Sequence, residues 1–270
     1  MAKLAYFLLV ALMMYPAASL PAQQRSLTLR FGPGYNSRQD LIFSPFVHTD
    51  WSLVNGGLRY ETQNRLHRWV DLGFGSYSPI LTPSYTYGDG DQTNAHSFLL
   101  ANLTYALGKP ISSRISARTW VLGGFLENDI HATTYNYARV GNSGYFASIG
   151  LGMWARFSRE IGQRNSIGAT VQVPLLAWVA RSPYLVNDDE YIENIYSHKG
   201  LNTFFAYLGD GELETLNAVR QLELHLNLSH SLSERWKIGA WYEFHLLHAS
   251  KPLPLLQLRN VLNFSTTLTF

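Results

Sequence analysis

Glu223 and His225 stand two residues apart, and so do Glu243 and His245. In an extended chain residues at i and i+2 project from one face, so each pair offers a carboxylate and an imidazole side by side. If a turn at residues 231–234 pairs the two segments, Glu223 falls opposite Glu243, Gln221 opposite His245 and His225 opposite Trp241. Two carboxylates flanked by imidazoles can exchange protons with a substrate or bind a cation. The competing reading is structural. Arg59, Arg114, Arg118, Arg156 and Lys237 lie on the polar phase of their own segments and would neutralise the carboxylates inside a closed fold, where unpaired charge is costly.

A second set is His248, Ser250 and Asn260, all on the even phase and separated by a connection at residues 251–257 that would bring Ser250 near Asn260. A histidine base, a serine nucleophile and an amide that orients the imidazole divide the work of a serine hydrolase among them. The plain alternative is the polar end of a strand entering a turn. A third set lies in residues 181–214, where Asp188, Asp189, Glu190, Glu193, Asp210, Glu212 and Glu214 are interleaved with Tyr184, Tyr191, Tyr196, Phe204, Phe205 and Tyr207. Such a segment can bind a divalent cation, a carbohydrate or a partner protein, or can fold as a solvated lid. Gly88-Asp89-Gly90-Asp91 lacks the ligand spacing of a calcium hand and reads as an Asp-Gly turn. No Gly-x-Ser-x-Gly elbow, zinc-protease helix or phosphate loop occurs, and neither a metal nor a cofactor is expected.

The elements that must position these residues are strands. Leu222, Leu224, Leu226 and Leu228 alternate with Gln221, Glu223, His225, Asn227 and Ser229, and Trp236, Ile238, Ala240, Tyr242 and Phe244 with Lys237, Gly239, Trp241, Glu243 and His245. The same period runs through Val54–Glu61, where Arg59 is on the polar phase, through 70–75 and 148–158, and through 114–121, where Arg118 falls on the polar phase. Short joints at 62–66, 108–113, 160–165 and 231–234 take turns with longer segments at 79–94, 127–142 and 181–214. Alternating tight turns and long loops favour a membrane barrel over a soluble sandwich, which remains the lesser alternative. About ten strands are expected, with eight or twelve as neighbouring answers. Residues 26–50 are the uncertain stretch, because Gly32-Pro33-Gly34 interrupts any strand.

Composition agrees. Charged residues make up 15% of the chain against roughly 25% in a typical soluble domain, and aromatics 14%, with 16 Tyr, 14 Phe and 7 Trp. A lipid-facing wall has little room for charge, and its two interfaces take Tyr and Trp. A net charge of +2, with no run of Lys or Arg, points to no nucleic-acid partner. Lys3, the apolar run 4–14 and Leu20-Pro21-Ala22 read as a signal peptide over residues 1–22, leaving 23–270 as one domain. The absence of cysteine rules out a lipid anchor on the mature chain and any disulfide. No segment reaches the roughly 18 apolar residues of a transmembrane helix.

The final stretch, Leu262-Asn263-Phe264-Ser265-Thr266-Thr267-Leu268-Thr269-Phe270, alternates without a break and ends on an aromatic. It resembles the C-terminal strand of bacterial outer-membrane β-barrels. The resemblance implies a Gram-negative outer-membrane location and a terminal Phe read by the assembly machinery. Contacts with the lipid bilayer and lipopolysaccharide are implied with it. The His-x-Ser arrangement at His248 and Ser250 is similar to that of outer-membrane phospholipase A and the lipid A 3-O-deacylase. That similarity implies His248 as base, Ser250 as nucleophile and Asn260 as orienting group, although Lys251 stands where those families tend to carry Asn. A protease of the ten-stranded outer-membrane type is less expected, since no Asp–Asp and Asp–His pair stands at opposite rims.

The sequence therefore predicts an all-β chain forming a single transmembrane antiparallel barrel, monomeric or lightly oligomeric. Its interior is too narrow for a wide diffusion pore, since roughly eight strands only just hold side chains and an open channel takes about 16. Function is expected in the external loops or the narrow lumen, as binding of a partner protein or passage of a small polar solute. A lipid hydrolase built on His248 and Ser250 is the alternative.

Overall fold

Unbroken alternation over long stretches yields strands and almost nothing else. The computed structural model describes residues 24–78, 85–86, 92–93, 96–112, 118–137, 140–182, 209 and 211–270. The expected signal peptide, the acidic tip at 88–91, Arg114 and the loop residues Asp188, Asp189 and Glu190 lie outside the described residues.

Ten long strands follow one another: β1 Gln24–Asp40, β2 His48–Gln63, β3 His67–Tyr77, β4 His96–Ser112, β5 Arg118–Tyr137, β6 Val140–Ile161, β7 Asn165–Arg181, β8 Val219–Ser231, β9 Trp236–Ala249 and β10 Leu255–Thr269. Each pairs antiparallel with its sequence neighbours, and β10 pairs with β1, so the sheet closes. Glu212–Thr215 adds a short rung to the outer end of β7, and residues 85–86 and 92–93 form a separate two-stranded ladder. Closure leaves no unpaired edge, which a sheet in lipid cannot tolerate. Backbone bonds from Arg25 to Phe270 and from Phe270 to Arg25, at 3.2 and 2.9 Å, lock the two ends together.

Ten strands match the expected number. The uncertain stretch becomes β1, a connection at 41–47 and the start of β2. Gly32 makes the continuous β1 feasible: a Cβ there would meet the Leu262 carbonyl oxygen at 2.0 Å, so only glycine lets β1 lie against β10. One extra residue in β2 between Ser52 and Asn55 leaves Leu53 and Val54 both facing outward. Pro174, which cannot donate to a ladder, marks a second register shift between β6 and β7.

Residues 127–142 depart from expectation. Glu127, Asn128 and Asp129 read as a polar loop, yet β5 and β6 run through them to Tyr137 and Val140. The polarity of Glu127 and Asp129 reflects an inward-facing phase near the barrel's middle, which hydropathy cannot distinguish from a solvated loop.

The wall is inverted relative to a soluble domain. Outward residues such as Leu29, Phe31, Leu151, Met153, Leu228 and Phe264 are exposed, while Arg30, Arg59, Asp71 and Glu223 are buried. Among the described residues no helix is long and apolar enough to cross a membrane. The strands have 11 to 22 residues, enough to cross a bilayer and extend beyond it. A closed barrel with apolar side chains outside and charged ones inside is an outer-membrane β-barrel, and the outer membrane is where this chain belongs.

Candidate functional site

The alternation of β1, β2, β3 and β9 sends Arg30, Arg59, Asp71 and Glu243 into the lumen, where they form one knot. Arg30 holds the Asp71 carboxylate at 2.7 and 3.1 Å and reaches Glu243 at 2.5 Å, while Arg59 donates to Asp71 at 2.5 Å. The Arg59 guanidinium also lies between two indoles, 4.3 Å from the Trp69 ring centroid and 4.5 Å from that of Trp241. Two arginines shared by two carboxylates leave no net charge in the knot, which is what burial in a narrow interior demands. Stacking on two aromatic faces then restrains the Arg59 side chain.

At the short-turn end, which in outer-membrane barrels faces the periplasm, Arg156 and Glu61 pair at 2.9 Å beside His67. Trp69, Trp154, Phe125, Val121 and Ala106 form an apolar cluster on the same wall. Below them opens a polar vestibule of about 460 Å³, reached by Lys237, Asn227 and Ser229.

Above the knot, Glu223 accepts a bond from Gln172 at 3.1 Å and Glu127 one from Gln221 at 3.2 Å. His225 and His245 each approach Glu223 at 3.6 Å. Higher still, Arg38 bonds Tyr135, His131, Gln257 and Asp40, and Asp40 also takes Arg181 at 2.6 Å.

The connection at 41–47 closes this outer end. Ile42 and Phe43 are buried against Tyr77, Phe98, Leu100 and Tyr135, with Phe43 stacked on Tyr135 at 5.2 Å between centroids. Ser44 continues into a chain of contacts: its hydroxyl meets His48 at 2.8 Å, His48 meets His96 at 3.2 Å, and His96 meets Asp50 at 2.5 Å. The connectivity is that of a serine relay with a second histidine inserted. Ser44, however, is 1% exposed, and its oxygen accepts the Phe46 amide, so the hydroxyl serves the turn.

The lumen cluster expected from the sequence is therefore present in part. Arg59, Glu223, His225, Glu243 and His245 all face inward and are brought together. Their register is corrected by two residues: Glu223 lies opposite His245 and His225 opposite Glu243. The reason is the turn, which occupies 232–235 and bonds Leu232 and Ser233 to the Trp236 carbonyl, leaving Ser231 opposite Lys237. Across the β8–β9 ladder each carboxylate thus faces an imidazole.

Arg118 is a second correction. It is exposed on the outer face, and Thr119 and Val121 point inward instead. The polar-inside rule fails on β5 because that part of the lumen is lined by the Trp69–Trp154 cluster, so the apolar residues are the inward ones. Glu127, Asp129 and His131 were the inward residues that the pattern missed, having been read as loop.

His248, Ser250 and Asn260 are not brought together. Asn260 lies opposite Phe244 and accepts a bond from Tyr242 at 2.6 Å, while the Ser250 hydroxyl donates to the Ala218 carbonyl at 3.2 Å. The β9–β10 connection is shorter than expected, with Ala249 opposite Leu255, which moves Asn260 deep along the strand and away from the rim. Among the described residues no group of three or more His, Cys, Asp or Glu has the arrangement of a metal site.

No known family profile matches the chain, and no characterised protein matches its sequence. Solved structures align with its fold. Neisserial surface protein A aligns over 91% of this chain and 97% of its own, with 9% identity and a TM-score of 0.37. A mutant of the TodX monoaromatic hydrocarbon channel aligns over 96% and 93%, with 10% identity and a TM-score of 0.35. A Pseudomonas aeruginosa FadL homologue aligns over 92% and 90%, with 7% identity and a TM-score of 0.29.

Proposed function

We propose that this outer-membrane barrel works as a closed scaffold that presents its external loops to a partner protein, with no chemistry of its own. The observation that carries this reading is the filled lumen. From the knot of Arg30, Arg59 and Asp71 up to Ile42 and Phe43, the described inward side chains are buried, and Arg30 and Arg59 are paired with Asp71, Arg38 and Arg181 with Asp40. A solute would have to break several buried ion pairs in turn, each worth about 3–5 kcal/mol if one partner is left alone. Loops on a rigid scaffold are the usual place for binding.

The lesser reading, passage of a small polar solute, draws support from the polar vestibule at the periplasmic mouth. The bilayer, lipopolysaccharide at the outer rim and the assembly machinery that reads Phe270 complete the proposed partners. Deleting residues 199–211 tests the binding reading. Cell-surface binding should be lost while the barrel still assembles, and wild-type protein in planar bilayers should be electrically silent. A steady conductance in wild type, insensitive to the deletion, would favour solute passage instead.

A further inference from the structure

Positive charge gathers at the short-turn end of the barrel, where β1 begins and β10 ends. Arg65, Arg68, Lys109, Arg164 and Arg235 stand there on turns and outward strand ends, against Glu160 and Glu234 among the described residues. Within this collar Arg118 and Arg159 differ from the rest, because they are direct cross-strand partners on β5 and β6. Both are exposed, and neither has a carboxylate partner among the described residues. Like charges directly opposite each other in an antiparallel ladder are destabilising. Glu160 does not relieve them, since it follows the inward phase and lines the vestibule.

One step further along the same outward face Trp120 pairs with Phe157, their ring centroids 5.0 Å apart, and Trp120 is 50% exposed. The row continues sideways through Ile111, opposite Trp120, and Ala169, opposite Phe157. Next along β5 and β6 comes Leu122 opposite Ala155. Aromatic rings on the outside of a membrane protein mark the headgroup level, with hydrocarbon beyond them. The two guanidinium groups therefore sit just on the aqueous side of that level, at the depth of lipid phosphates.

We infer that Arg118 and Arg159 form a clamp for the phosphate of an anionic phospholipid in the periplasmic leaflet, with its acyl chains lying over Trp120, Phe157 and Leu122. Two planar forks offer paired N–H donors to the phosphate oxygens, and the phosphate removes the repulsion between the arginines. Arg159 also borders the vestibule rim, and the phase that it shares with Phe157, and Arg118 with Trp120, puts the pair on the lipid side of the wall. The site rests on the membrane placement, and it is independent of what the external loops bind.

The test uses wild-type protein reconstituted in vesicles of equal phosphatidylcholine and phosphatidylglycerol, with spin-labelled versions of each lipid as the probe. About 1 kcal/mol per basic residue near an anionic surface makes two arginines worth a preference of roughly thirtyfold. Wild type should immobilise phosphatidylglycerol with that preference, the Arg118→Gln/Arg159→Gln double variant should lose most of it, and Arg164→Gln/Arg235→Gln should keep it. Heat-modifiable migration on gels checks that each variant is folded. Equal preference in wild type and the first double variant would overturn the clamp, as would equal loss in both double variants, which would mean a diffuse collar. Failure of wild type to insert at all would remove the membrane placement and the clamp together, whereas insertion without selectivity would remove the clamp alone.

Discussion

Arg181, near the end of β7, reaches Asp40, at the end of β1, with an N–O distance of 2.6 Å across 141 residues of chain. The same carboxylate accepts Arg38 at 3.1 Å and the Ile42 amide at 3.3 Å, and the Asp40 carbonyl accepts the amides of Phe43 and Ser44. One residue thus fastens the segment that fills the outer mouth to the barrel wall. Asp40→Ala should release residues 41–44 and leave two buried guanidinium groups short of a partner. Planar-bilayer recordings are expected to show brief openings in the variant where wild type is silent. Silence in both would mean that the packing of Ile42 and Phe43 closes the mouth without Asp40.

The knot around Asp71 makes a second prediction. Asp71 neutralises Arg30 and Arg59 together, and all three are buried. Asp71→Ala leaves two cations facing each other with only Glu243 between them, a loss of about 3–5 kcal/mol in unfolding free energy by the usual cost of breaking a buried pair. Arg59→Met keeps much of the apolar stem between Trp69 and Trp241 and lets Arg30 satisfy Asp71, so it should cost clearly less. Urea titration in lipid vesicles, followed by tryptophan emission, ranks the two. The reverse order would mean that the indole stacking holds this region rather than the carboxylate.

Much of this architecture is legible in the chain, and the limits are physical. Leu222 to Leu228 could be assigned outward because lipid selects one phase without exception, and the terminal strand through Phe264 to Phe270 follows the same logic. The inward phase is less constrained, since a narrow lumen accepts either ion pairs or aromatic packing. That is why Val121, buried against Trp154, faces inward where the alternation places it outward, and Arg118 faces outward in its stead. Glu127 and Asp129 illustrate a second limit. Asp129 pairs with His131 on its own strand and Glu127 accepts from Gln221 of β8, and neither partner makes a buried carboxylate look different, along β5, from one solvated in a loop. The register of Glu223 depends on how the Ser233 hydroxyl accepts the amides of Arg235 and Trp236, which composition does not reveal.

The hydrolase alternative leads to a direct expectation. Because the Ser250 hydroxyl and amide both donate to the Ala218 carbonyl and Asn260 is engaged by Tyr242, Ser250→Ala should leave the phospholipid and lipid A acyl patterns of cells unchanged by mass spectrometry. An acyl chain removed by wild type and retained with the variant would overturn this and reinstate Ser250 as a nucleophile.

Phe270 separates a structural role from a signalling one. Its backbone is tied to Arg25 at both the amide and the carbonyl, so the strand end is held whatever side chain it carries. The ring itself is 58% exposed on the lipid side, in phase with Leu262 and Phe264. Removing a ring that remains half accessible should cost no more than about 1.5 kcal/mol, half or less of the value for full burial of a Phe side chain. Phe270→Ser should therefore refold in detergent with nearly wild-type stability, while the amount assembled in the outer membrane falls severalfold. If instead refolding and assembly fall together, the ring is needed by the folded barrel, and the proposed recognition of Phe270 by the assembly machinery is overturned.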